Sequence, residues 1–210
     1  RDFCLSRGLG DVYKRQSLNK SAREQPMAEP TATGEEIMSL LLGDNEALEE
    51  EVEVVEAGGY HRVLHGTNSE TGLDAVVAVH NTILGTALGG CRIMQYDSYE
   101  EQLADALALS KGMTYKNSLA GLNLGGGKTT INTHGKPVTE ELLASFGEFM
   151  DYVNKDRVVY ITAGDVGSGP EVTEVIAKYT DFIQGAVGSD SGWATAYGVY
   201  NGMLGALRFN

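Results

Sequence analysis

From residue 60 onward the chain reads as an α/β domain built on a mixed, partly parallel sheet. Three observations predict this. Apolar runs of strand length, such as residues 75–79, are bounded by Gly, Asn and Ser. Segments of helical periodicity lie between them, and the first two runs are close enough to form a hairpin.

Residues 60–64 are predicted as a strand, residues 66–72 as a turn rich in Asn, Ser, Thr and Gly, and residues 73–80 as the apolar return strand. Residues 85–94 form a third strand carrying Gly89, Gly90, Cys91 and Arg92. Asp97 and Ser98 cap the next segment, with Glu100 and Glu101 in its first turn, where the helix dipole favours acids. Leu103, Ala106, Leu107 and Ser110 recur at helical spacing, so this helix packs one face inward and delivers Lys116 near its end. A glycine loop follows, then a buried strand at 129–133, a helix at 139–153 and a strand at 158–162. A helix at 171–179, a short strand at 182–183 and a helix at 194–207 complete the pattern. Polar residues just past strand ends, such as Asp165, are where such sheets bind ligands.

The 210 residues suit one or two domains, and 42% apolar content supports a real core. No apolar run approaches the roughly 18 residues that a membrane span needs. A net charge of −13 argues against a nucleic-acid partner. The acidity is local: residues 29–56 hold ten acids and no Lys or Arg, and the remainder is nearly balanced. Residues 17–52 are read as an acidic mobile extension, including a short helix at 35–42. Residues 1–16 look foreign, because residues 11–16 resemble one translation of a transposon end used in sequencing libraries. They are read as a sequencing artefact, with Met27 and Met38 as candidate starts. Cys4 and Cys91 make no disulfide framework or metal motif, and no signal-like segment opens the chain, which fits a reducing cytoplasm.

The chemistry concentrates in Lys111-Gly112-Met113-Thr114-Tyr115-Lys116 and Gly125-Gly126-Gly127-Lys128, which set Lys116 and Lys128 around a glycine triplet. Three glycines let a ligand approach the main chain and let N–H groups turn toward an anion. Two lysines in one desolvated pocket would each disfavour the other's charge, and a neutral lysine is a general base. A P-loop is excluded on spacing, since Leu122 stands where its first glycine belongs, and on order, since the glycines follow a helix and precede a strand. Asp190 stands where a nucleophile elbow needs serine, and no dinucleotide fingerprint joins a strand to a helix. Histidines 61, 65, 80 and 134 are scattered, which suits surface or satisfied core roles and no metal site. Taken alone, Asp165 reads as a turn or cap residue and Arg92 as a structural partner of some carboxylate.

Five ordered blocks resemble the glutamate/leucine/phenylalanine/valine dehydrogenase family, most closely its leucine dehydrogenase-like branch, over residues 53–207. They are residues 87–92, 111–116, 121–128, 162–167 and 195–200. The resemblance implies a three-layer α/β/α domain at residues 53–193 that binds substrate and builds a homo-oligomer. A helix at 194–210 would lead into an NAD-binding domain outside this chain. It implies NAD-dependent oxidative deamination of an L-amino acid to a 2-oxo acid and ammonia. The resemblance makes Lys116 the partner of the substrate carboxylate, helped by Gly89 and Gly90, and Lys128 the general base. Asp165 handles the amine, Thr195 contacts the nicotinamide end, and Met113 and Ala163 wall the substrate. Leu88 stands where glutamate-specific relatives are expected to carry lysine, so an apolar substrate is implied, because a side-chain carboxylate would lie unpaired there. Gly164 stands in place of a common acidic residue, and residues 188–193 form a shorter segment than in leucine dehydrogenases. A non-catalytic amino-acid-binding or oligomerisation module is the alternative.

Overall fold

The computed structural model describes residues 52–185 and 191–209. Glu53–Asn210 make one compact unit; of the other, Arg1–Val52, only Val52 is described, so the expectations for 1–16, 17–51 and 186–190 lie outside the described residues.

Seven strands form one sheet in the order β1-β2-β3-β5-β4-β6-β7. They are β1 (Val52–Val54), β2 (Arg62–Asn68), β3 (Leu73–Asn81), β4 (Ala87–Met94), β5 (Gly125–Asn132), β6 (Tyr160–Gly164) and β7 (Ile183–Gln184). The β2–β3 hairpin and the β3–β5 pair are antiparallel, whereas β4 runs parallel to β5 and β6, and β7 runs parallel to β6. The sheet is therefore mixed, as the sequence predicts. Among the described residues, four helices intervene or follow: α1 (Tyr99–Leu119), α2 (Glu140–Val153), α3 (Pro170–Ile176) and α4 (Ser191–Phe209).

The five residues from Ala75 to Val79 are all buried, because β3 is covered on both faces. On one face α1 packs over β3 and β5, closing a cluster of Val63, Val76, Ala78 and Ala106 against Leu103 and Leu107. On the other, α2 brings Phe146, Phe149 and Met150 onto the sheet, where the Phe149 ring lies 2.9 Å from the position a Cβ on Gly66 would take. Two helical layers around one sheet give the α/β/α sandwich. Ser98 caps α1 by accepting from the Glu101 N–H, and Glu101 returns a bond to the Asp97 N–H. Thr139 caps α2 in the same way.

Two boundaries differ from the sequence expectation for physical reasons. β2 runs on to Asn68 through the expected turn, because Gly66 is the one residue small enough to sit under Phe149. The glycine triplet is no loop: Gly125, Gly126 and Gly127 are buried in β5, paired to β3 on one side and β4 on the other. Their missing side chains admit other protein atoms. A Cβ on Gly126 would stand 2.1 Å from the Thr114 backbone nitrogen, one on Gly125 1.9 Å from the Asn81 carbonyl, and one on Gly127 2.4 Å from the Tyr160 ring. The expected anion-binding role for these N–H groups gives way to close helix-on-strand packing. Smaller shifts at 160–164, 170–176, 183–184 and 191–209 move element ends by a few residues.

This packing makes Gly126→Ala strongly destabilising, by about 3 kcal/mol, since the added methyl meets backbone that cannot step aside. Gly112→Ala, within α1 and facing open space, should be neutral or stabilising by up to about 1 kcal/mol. Urea unfolding of both variants checks this; equal losses would show that the triplet is not filling a contact.

Candidate active site

Strand pleat decides which side chains meet. On β4, Leu88, Gly90 and Arg92 alternate onto one face, opposite the fully buried Ala87 and Cys91. Gly126 of β5 faces α1, so Lys128, two residues on, faces the same way. Ala163 of β6 lies beside Gly90 in the parallel register. α1 covers β3 and β5 and reaches little of β4, so Leu88, Gly90, Ala163 and Asp165 remain only partly buried beside the helix.

Lys128 lies across this face of the sheet. Its side chain is 6% exposed, and its Nζ donates to Oδ2 of Asp165. A Cβ on Gly90 would stand 2.7 Å from the Asp165 Cβ and 3.1 Å from Lys128 Nζ, so glycine is needed where the ammonium passes. The same Oδ2 receives Nε of Arg92 at 3.3 Å. Arg92 is held in turn by both oxygens of Asp105 on α1, at 3.2 and 2.9 Å, and the Tyr96 hydroxyl donates to Asp105 at 2.9 Å. The turn carrying Asp165 is fastened beneath: the Ser168 hydroxyl accepts from the Asp165 N–H at 2.9 Å and donates to the Cys91 carbonyl. Asp165 is thus a turn residue and a site residue at once.

Burial alone would push the Asp165 carboxyl upward. The hydrogen bond and charge of Lys128, then the charge of Arg92, outweigh it and hold Asp165 below the ordinary value of 3.8. Asp165 therefore remains a carboxylate at neutral pH, facing two cations.

The other expected residues fall less tightly. Met113 Cγ lies 3.4 Å from where a Cβ on Gly89 would stand, which puts it at the rim by β4. Lys116 is one turn further on the same stripe of α1, exposed, with no ion pair among the described residues. The expected pair of mutually desolvated lysines is therefore corrected to one buried lysine with a carboxylate partner and one solvated lysine near the end of α1. Thr195 is exposed on α4. Two buried side chains that the sequence did not single out fix carbonyls of β4 and β5. Asn117 donates to Leu88 at 3.4 Å and Gly125 at 2.6 Å, and the Tyr160 hydroxyl reaches Gly89 at 3.3 Å. Their signal in sequence is weak, being polar residues on otherwise apolar stripes. The histidines all have partners: Asp74 for His65 and His134, Thr114 for His80, and Arg157 for His61.

A family profile described as Glu/Leu/Phe/Val dehydrogenase, dimerisation domain, matches residues 61–182. The chain belongs to this family. Its leucine dehydrogenase-like character shows in 45% identity over 161 residues to leucine dehydrogenase of Geobacillus stearothermophilus, covering 73% of this chain and 43% of that protein. A phenylalanine dehydrogenase of Caldalkalibacillus thermarum is 41% identical over 156 residues, covering 71% of this chain and 41% of its own length. The crystal structure of L-tryptophan dehydrogenase from Nostoc punctiforme superposes with a TM-score of 0.55 at 38% identity, covering 60% of this chain and 36% of that one. The chain thus spans less than half the length of these relatives. Among the described residues, no helix is long and apolar enough to cross a membrane.

Removing the carboxylate should expose the electrostatics. Asp165→Asn leaves the Lys128 ammonium without its partner, at about 2 kcal/mol at pH 7, below the range for a fully buried pair because the site is half open. A carboxyl lowered on folding contributes stability that is full above its unfolded value and lost as pH falls through the folded one. The gap between wild type and Asp165→Asn should therefore narrow from pH 5 toward pH 3. Urea titrations across that range check it; a constant gap contradicts the assignment.

Proposed function

We propose that this chain is the substrate-side catalytic part of an NAD-dependent amino acid dehydrogenase, which oxidatively deaminates an apolar L-amino acid to its 2-oxo acid and ammonia. The observation that carries the reading is the buried Lys128 paired with Asp165, with the partly buried Leu88 on the adjacent strand β4 and the exposed Lys116 on the covering helix α1.

Lys116 supplies the exposed cation that an α-carboxylate requires, helped by the Gly89 and Gly90 backbone. Asp165, held ionised, accepts the substrate ammonium and stabilises the cationic iminium formed after oxidation at Cα. An arriving ammonium competes with Lys128 for Oδ2. Lys128, released from that bond, gives its proton to solvent and, as the neutral amine, takes a proton from the water that adds to the iminium carbon. Leu88, Met113 and Ala163 line the side-chain end.

Among the described residues, the triplet N–H groups lie within a buried strand and suit no phosphate, while Thr195, exposed on α4, would meet the nicotinamide end of NAD. Their chemistry is that of carboxylate, amine and water. The dimerisation-domain match supports assembly as a homo-oligomer, and a cytoplasmic setting suits the cysteine usage.

Labelling of Lys128 by an amine-reactive reagent, followed by mass spectrometry, tests the reading on the purified chain. A branched-chain 2-oxo acid should protect Lys128, and 2-oxoglutarate should protect it at least tenfold less well, because its second carboxylate meets Leu88. Leu88→Lys should reverse that preference by supplying a counter-charge. Protection by ATP, or by neither acid, overturns the proposal.

A further inference from the structure

The Proposed function needs Lys128 to give up its bond to Asp165 and, at one stage, its charge. A half-buried aspartate that loses its ammonium partner becomes easier to protonate, which would weaken its hold on the cationic iminium. The site holds a second cation on that same oxygen. Arg92 reaches Oδ2 of Asp165 from β4 through Nε, while Lys128 reaches it from β5. Arg92 is itself restrained, since its Nη1 meets both oxygens of Asp105 and the Tyr96 hydroxyl holds one of them.

We propose that Arg92 is a positioning residue, the standing counter-ion that keeps the Asp165 carboxylate in place and ionised whenever Lys128 is engaged elsewhere. The inference rests on the deaminase reading only for its purpose; the electrostatic claim stands on the three-residue geometry. The charges support it. Lys128 and Arg92 balance Asp165 and Asp105. When Lys128 is uncharged, the cluster carries −1, the complement of one ammonium or iminium. Without Arg92 it would carry −2, and the Asp165 carboxylate would be easier to protonate. Guanidinium suits the task because it does not deprotonate and its fork spans two carboxylates at once. The remaining titratable groups facing Asp165 are the Cys91 thiol and the Tyr96 and Tyr160 hydroxyls, all pushed upward first by burial and so neutral across the working range.

The test follows the Asp165 carboxyl directly, by carbon-detected NMR titration of the purified chain, with Asp165→Asn assigning the resonance. In Lys128→Met, Asp165 should still titrate within half a unit of an ordinary aspartate, held by Arg92. In Lys128→Met with Arg92→Gln it should rise by at least one further unit, and Arg92→Lys in place of Arg92→Gln should restore most of that shift. Dispersed amide spectra verify folding; if the double variant unfolds, Arg92→Gln alone should raise the midpoint above wild type. A rise below 0.3 unit on losing the guanidinium, or an Arg92→Lys variant that behaves like Arg92→Gln, overturns the proposal. No substrate or turnover enters this measurement. Failure here leaves the Lys128 protection result untouched, and failure of that protection leaves the titration to stand or fall by itself.

Discussion

The approach of α1 to β5 at backbone distance is the constraint from which the rest of the site follows. Gly126 has no Cβ, so the Ser110–Thr114 turn of the helix can settle onto the strand itself. That contact fixes the face on which Lys128 emerges and sets Asn117 where it can hold the Leu88 and Gly125 carbonyls. A second omitted Cβ, at Gly90, leaves the passage through which the Lys128 side chain reaches Asp165. Larger side chains at either point would separate the helix from the sheet, or the lysine from the aspartate. Glycine is thus used here for what it lets neighbours do.

Electrostatics then divides the labour among the cations. Lys128 is nearly enclosed and pairs with a carboxylate that burial disfavours, so the Asp165 charge depends on it. Arg92 joins the same oxygen but is anchored on α1 through Asp105, so its position does not depend on Asp165 alone. Lys116 stays in water. The three therefore differ in mobility and solvation although all are positive, and those differences allow one to hold, one to exchange and one to capture.

Much of the fold was legible because its signals are local. Ser98 with Glu101, the stripe of Leu103, Ala106 and Leu107, and the apolar run of β3 all report on residues within a few positions, and each appears as expected. The glycine triplet was misread as a loop because missing side chains signal open space without saying what fills it. The answer lay with Ser110 and Thr114, a dozen or more residues earlier. Solvation was not legible either: two lysines of one motif look alike in sequence, yet one is buried and one exposed. Arg92 was correctly expected to meet a carboxylate. That one of its two carboxylates is Asp165, 73 positions away, depends on the crossover that lays β6 beside β4.

The Ser168 hydroxyl ties the Asp165 turn to position 91 through a main-chain carbonyl, which every amino acid presents alike. The thiol at that position points into a fully enclosed space and takes no part in the fastening. A side chain at position 91 that fits this enclosed space therefore leaves the tether as it is, since the bond goes to the main chain.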